Sequence, residues 1–124
     1  MKLREFTSKR VERFSEPAIS LYLSNGEVRF STQLVDKLNI QINSRVQFFQ
    51  DEHSPQDWYL KVNCSRGFKI RQKPDGRLLF SNKPLVNAIF DSLKLKKGDK
   101  PIVPVSTERD LTNDTYALIT HTIL

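Results

Sequence analysis

The sequence predicts a mainly β fold with short helices, a β-barrel built from two ββαββ repeats, and three observations carry that prediction. The first is self-similarity. Asn25-Gly26-Glu27-Val28-Arg29-Phe30-Ser31, then Leu34-Val35 and Leu38, returns as Asp75-Gly76-Arg77-Leu78-Leu79-Phe80-Ser81, then Leu85-Val86 and Leu93. The second is turn chemistry: Asn25-Gly26 and Asp75-Gly76 each lie between alternating apolar runs, the pattern of a hairpin with a type I′ turn. The third is a change of period after each Phe-Ser, from two to about 3.6, which marks strand giving way to helix. One copy alone has too few apolar residues to close a core. Two copies that pair their strands can form a closed sheet with fewer exposed edges. At 124 residues the chain has the size of one domain, divided into an N-terminal arm (1–17), repeat one (18–63) and repeat two (67–120).

In chain order, Ile19, Leu21 and Leu23 alternate with polar positions as a half-buried strand does, and Val28 and Phe30 continue the hairpin. Leu34, Val35 and Leu38 share a helical face, with Ser31 or Thr32 as the cap. Val46 and Phe48 form the next strand, and Trp58-Tyr59-Leu60-Lys61-Val62 returns after a polar loop from Asp51 to Asp57. In the second copy Phe68 and Ile70 precede the turn, while Leu78 and Phe80 follow it. Leu85, Val86, Ile89, Phe90 and Leu93 extend the helix by a turn beyond the first copy, with Ser81 or Asn82 as cap and Pro84 in the first turn. Lys97-Gly98-Asp99 turns the chain into Ile102-Val103-Pro104-Val105, and Tyr116-Ala117-Leu118-Ile119 closes the repeat. Pro101 and Pro104 cannot donate to a ladder, so that strand belongs at an edge or starts late.

Composition excludes several classes. Charged residues make up 27% of the chain and apolar residues 38%, and no stretch approaches the roughly 18 apolar residues of a membrane-spanning helix. The charged start, Met1-Lys2-Leu3-Arg4-Glu5-Phe6, lacks the apolar region of a secretory signal. Cys64 has no second cysteine to pair with, which favours a reducing compartment, and a cytoplasmic protein is expected. With His53 and His121 as the other soft ligands, no metal or other cofactor is expected. The net charge of +6 is unevenly spread: residues 1–24 carry +2, 25–65 carry −1, 66–100 carry +7 and 101–124 carry −2. Such asymmetry steers an anionic partner toward one side of the molecule.

The string Gly26-Glu27-Val28-Arg29-Phe30-Ser31 with Leu34, Leu38, Ile40 and Val46 resembles the AbrB-like (SpoVT–AbrB) swapped-hairpin family. The second copy resembles it through Gly76, Phe80, Leu85, the run Leu93-Lys94-Leu95-Lys96-Lys97-Gly98-Asp99 and Ile102. The resemblance covers residues 18–62 and 68–119 and implies an interlocked barrel, here a single-chain pseudo-dimer related to double-psi and other cradle-loop barrels. It also implies DNA binding through basic residues on the hairpin and around the helix start. Arg77 stands where the family expects an arginine after the turn glycine, but the first copy has Glu27. Val35-Asp36 and Val86-Asn87 replace an arginine pair that DNA-binding members often carry, and Ser31 and Ser81 replace a proline. These departures argue against a symmetric DNA reader and for one-sided contact through the second copy.

The candidate nucleic-acid-binding residues are Lys69, Arg71, Lys73 and Arg77, with Arg66 nearby. As one strand, Lys69, Arg71 and Lys73 would project to one face, opposite Phe68 and Ile70, and could follow a phosphate backbone. The bland reading is a strand face kept from aggregating by its cations. Lys96 and Lys97 add to the field, in a cluster with Lys94 and Lys100 that also complements the negative end of a helix dipole. The N-terminal arm, with Lys2, Arg4, Lys9, Arg10 and Arg13 among Leu3, Phe6, Val11 and Phe14, suits packing or partner contact better than a groove-binding arm. Phe48, Phe49, Trp58 and Tyr59 are the aromatics to test for base stacking. Catalytic motifs are missing, and Asp51-Glu52-His53 reads as a solvated loop. The expectation is a non-enzymatic DNA-binding or transcription-regulatory protein, monomeric as a pseudo-dimer or weakly self-associating. The alternative is a protein-interaction or assembly module contacting its partner through the arm and loops.

Overall fold

A computed structural model describes residues 16–120, and the N-terminal arm's basic and apolar residues up to position 15 lie outside that range. Among the described residues the fold is mainly β with two short helices, in line with the mainly β class the sequence predicts. The described strands are β1 (Ala18–Tyr22), β2 (Glu27–Phe30), β3 (Arg45–Gln50), β4 (Trp58–Cys64), β5 (Phe68–Lys69), β6 (Arg71–Gln72), β7 (Leu78–Ser81), β8 (Ile102–Pro104) and β9 (Tyr116–Ala117). Helix α1 (Thr32–Leu38) follows β2, and α2 (Lys83–Ser92) follows β7. Five strands form one sheet in the order β6-β7-β2-β1-β8, and four form a second in the order β5-β3-β4-β9. All pairings are antiparallel.

Local chemistry accounts for the elements. In the β1–β2 turn the Asn25 side-chain oxygen accepts the Glu27 N–H at 3.0 Å, and in the β6–β7 turn Asp75 accepts the Arg77 N–H at 3.0 Å. Gly26 and Gly76 take positive φ, of 71° and 96°, but Asn25 and Asp75 do not, so neither hairpin has the predicted type I′ turn. In the first hairpin the side-chain oxygen mimics a backbone turn, whereas in the second it adds to one, with the Gly76 N–H donating to Lys73 O at 2.9 Å and the Lys73 N–H to Arg77 O at 2.9 Å. Ser31 caps α1: its Oγ accepts the Leu34 N–H at 3.2 Å and the Ala18 N–H at 3.0 Å. Asn82 caps α2 by accepting the Leu85 N–H at 2.9 Å, with Pro84 in the first turn. Asn39 ends α1 in the left-handed region with φ 53°.

The core lies between the sheets. Ile19 opposes Phe30 and Leu21 opposes Val28 on β1–β2, Val28 opposes Phe80 on β2–β7, and all point inward. Phe80 is the centre: it stacks on Phe68 at 4.8 Å and 7° between planes, and meets Phe48 at 5.8 Å and Phe30 at 5.9 Å. Thus one ring gathers aromatics from both sheets, the offset and tilted arrangement that aromatic quadrupoles favour. Leu34 and Leu38 of α1, and Val86, Ile89 and Phe90 of α2, bury their apolar faces on the same core.

The sheets meet at both margins. Between β5 and β6 the chain bends at Ile70, whose N–H donates to Ser44 O at 2.9 Å while its carbonyl accepts the Asn43 N–H at 3.0 Å. On the other side Val105 bridges Leu118, Ser106 N–H donates to Ala117 O at 2.8 Å and Ile119 N–H to Pro104 O at 2.7 Å. Pro104 therefore sits at the end of an edge strand, as its missing donor requires.

Candidate nucleic-acid interface

Directly opposed residues of an antiparallel pair share a face. On the five-stranded sheet Ile102, Ser20, Arg29, Leu79 and Arg71 are linked in one row from β8 to β6, on the face turned away from the core. Tyr22, Glu27 and Ser81 form the next row. Leu79 is 0% exposed yet belongs to this outer row, flanked by Arg29 and Arg71.

Glu27 organises the charges. Its Oε1 accepts a hydrogen bond from Arg29 Nε at 2.8 Å and lies 3.5 Å from Lys73 Nζ. Burial pushes the Glu27 carboxyl up, but the Arg29 hydrogen bond and the charges of Arg29 and Lys73 outweigh it and hold the group below its ordinary value. The Glu27 hydrogen bond in turn raises the Arg29 guanidinium. That guanidinium lies 4.2 Å from the centroid of the Tyr22 ring, a cation–π contact. Arg71 donates to Ser81 Oγ at 2.8 Å, and Arg77 Nε pairs with Asp75 at 3.3 Å. Beside this cluster a cavity of about 330 Å³ is lined by Arg29, Arg77, Tyr22, Ser20 and Thr32, among others, with no carboxylate among the described residues that line it. Chemically, the surface offers guanidinium and ammonium donors around a small hydroxyl-bearing hollow, which suits a phosphate oxygen.

The six predicted residues fall in three places. Arg71, Lys73 and Arg77 come together on the β6–β7 hairpin. Lys69 is separated from them: it sits on β5 in the other sheet, opposite Arg45, because the bend at Ile70 breaks the single strand that alternation suggested. Lys96 and Lys97 lie exposed between α2 and β8, with the Lys96 N–H donating to Asp99 Oδ2 at 2.8 Å. Arg66 is exposed in the link before β5. Sequence reasoning missed Arg29 and Tyr22. Alternation with Val28 and Phe30 already turned Arg29 outward, but only the pairing of β2 with β7 puts it beside Lys73.

The remaining candidates are structural in their contacts. Trp58 is buried and donates its indole N–H to Ser92 Oγ at 2.8 Å. Phe48 packs inward, whereas Phe49 is 44% exposed and stands opposite Tyr59 on the outer face of the four-stranded sheet. Asp51 Oδ1 accepts the backbone N–H groups of His53 and Ser54, which uses it as a turn former. Burial pushes the Cys64 thiol up, away from the thiolate that reactivity needs.

No family model, curated protein or solved structure matches the chain. Among the described residues no helix is long and apolar enough to cross a membrane.

Proposed function

We propose that this chain is a small, non-enzymatic DNA-binding or transcription-regulatory protein that contacts phosphates through the outer face of its five-stranded sheet. The observation that carries the reading is the convergence of Arg29, Arg71, Lys73 and Arg77 on one surface whose two carboxylates, Glu27 and Asp75, are each already paired. Lys69 lies around the bend, and Lys96 and Lys97 add to the attracting field without sharing the contact surface.

The scaffold is read as a closed barrel, a tandem AbrB-like pseudo-dimer. Closure is supported by hydrogen bonds that join the sheets at Ile70 and again from Pro104 to Ser106. Two-fold organisation is supported by register. Arg29 opposes Leu79, its counterpart in the other copy, and β4 likewise pairs with its counterpart β9. The swapped contacts are reciprocal: β1 pairs with β8 just as β5 pairs with β3. The unequal charges of the two hairpins then make contact one-sided.

A mobility-shift titration with duplex DNA tests the reading. Retardation is expected at micromolar protein and about 50 mM salt, within the ordinary range of electrostatic binding. An unshifted duplex under those conditions overturns it. Protein contact remains the second reading, favoured by the exposed Phe49 beside Tyr59. Light scattering over a concentration series separates the two: a mass that rises with concentration in the parent, and stays at one chain in Phe49→Ser, assigns that face to self-association.

A further inference from the structure

A second cationic feature lies away from the hairpin. Between the β1–β2 turn, the start of α2 and the loop leading into β8 is a cleft of about 450 Å³, lined by Lys83, Lys97 and Lys100 together with Ser24, Asn87 and Asp99. The three lysines come from two separate stretches of chain, and none takes part in the ion pairs among the described residues. The one carboxylate, Asp99, is tied into its own turn: its Oδ2 accepts the Lys96 N–H at 2.8 Å, and its N–H donates to Lys96 O at 3.0 Å. Like charges gathered at a hollow repel one another and are relieved by an anion.

The walls are fixed by backbone. Gly26 O accepts the Asn82 N–H at 2.9 Å, and the turn presses so closely on α2 that a Cβ at Gly26 would stand 2.7 Å from Lys83 N. Leu21 N–H donates to Pro101 O at 3.1 Å, which ties the loop after Lys100 to β1. The other hairpin and helix supply a comparison within the molecule. The hollow between the β6–β7 turn and α1, about 350 Å³, is lined by Val35, Ile40, Gln41, Ile42, Gln72 and Leu78, with Gly76, and carries no charge at all. Matching places in the two halves therefore differ in charge, and the excess of +7 in residues 66–100 puts its lysines at only one of them.

We propose that the lysine cleft is a phosphate-binding site, taking the phosphoryl groups of a free polyphosphate or of a nucleic-acid strand that passes over it. Lysine ammonium groups act there as mobile point charges, with Ser24 and Asn87 able to hydrogen-bond phosphate oxygens. Tyr22 lines both this cleft and the hollow beside Arg29, but Lys83, Lys97 and Lys100 line only the cleft, so the site does not depend on the nucleic-acid reading.

The experiment is a titration of the isotope-labelled protein with inorganic pyrophosphate, followed in proton–nitrogen correlation spectra. Saturable shifts are expected at the amides of Ser24, Asn87 and Gly98. In a variant carrying Lys83→Gln, Lys97→Gln and Lys100→Gln the affinity should fall at least about tenfold, equivalent to 1.4 kcal/mol. Lys37→Gln, in the exposed last turn of α1, should leave it unchanged. An unlabelled single-stranded oligonucleotide added to the pyrophosphate complex separates the sources. If it displaces pyrophosphate and the lysine variant flattens its salt dependence by about 0.7 in log–log slope for each phosphate left unneutralised, the phosphates are those of a strand. If it leaves pyrophosphate in place, the ligand is a free polyphosphate. The absence of shifts at those three amides in the parent protein, or full affinity in a folded lysine variant, overturns the site.

Discussion

At Glu27 one carboxylate meets two cations, Arg29 Nε at 2.8 Å and Lys73 Nζ at 3.5 Å, on a side chain only 12% exposed. A charged hydrogen bond in such surroundings contributes about 1.5–3 kcal/mol, and Glu27→Gln should lower unfolding stability by that order at neutral pH. The pH dependence follows from the depressed carboxyl. A group whose folded value lies below its ordinary 4.5 gives its full stabilisation above that value and loses it as pH falls through the folded one. Urea unfolding of parent and Glu27→Gln should therefore show a gap at pH 7 that narrows in acid; a gap that stays constant means the ion pairs contribute nothing. Arg29 illustrates what a sequence can and cannot tell at this scale. Its outward direction follows from alternation with Val28 and Phe30, whereas the Tyr22 ring under it comes from the neighbouring strand and the Glu27 carboxylate it bonds is shared with Lys73 from just beyond β6.

The two hairpins differ in how they meet the helices. The β1–β2 turn is hydrogen-bonded to the start of α2 and leaves 2.7 Å between a Cβ at Gly26 and Lys83 N, while a Cβ at Gly76 would meet nothing within 4 Å. Both glycines carry positive φ, so alanine at either costs about 1–2 kcal/mol from backbone strain. Gly26→Ala should cost distinctly more than Gly76→Ala, because it must also push two backbones apart. Thermal unfolding of the pair checks this, and equal losses would contradict the close packing of turn on helix. Much at this scale was legible because it is local: the order of strands and helices, the Ser31 cap, the longer second helix with Pro84 in its first turn. Two features were not. The type I′ turns gave way to a loop closed by the Asn25 side chain and to a turn in which Asp75 adds to the backbone bond from the Gly76 N–H to Lys73 O, a difference that the dipeptide alone does not reveal. The strand through Lys69 and Arg71 bends at Ile70 because Asn43 and Ser44, more than twenty residues away, take its hydrogen bonds.

Across the whole molecule, Phe80 holds together rings from both sheets, and Phe80→Ala should cost about 3–5 kcal/mol, measured by chemical denaturation. A loss below about 1 kcal/mol, as at surface positions, would mean that the sheets do not share one core. The apolar pattern made that core legible, since Val28, Phe30, Leu78 and Phe80 all bury as alternation requires. The cationic surface was legible only in part. Arg71, Lys73 and Arg77 come together as expected, Lys69 is carried into the other sheet, and Arg29 joins through pairing across fifty residues. The excess of +7 in residues 66–100 thus supplies both the cationic hairpin face and the lysine cleft. The most direct test of the proposed phosphate contact is the salt dependence of duplex binding by the parent and by a variant with Arg71→Gln, Lys73→Gln and Arg77→Gln. The log–log slope should be shallower in the variant by about 2.7, at roughly 0.9 for each phosphate no longer neutralised. Identical slopes and affinities for the two proteins would contradict it.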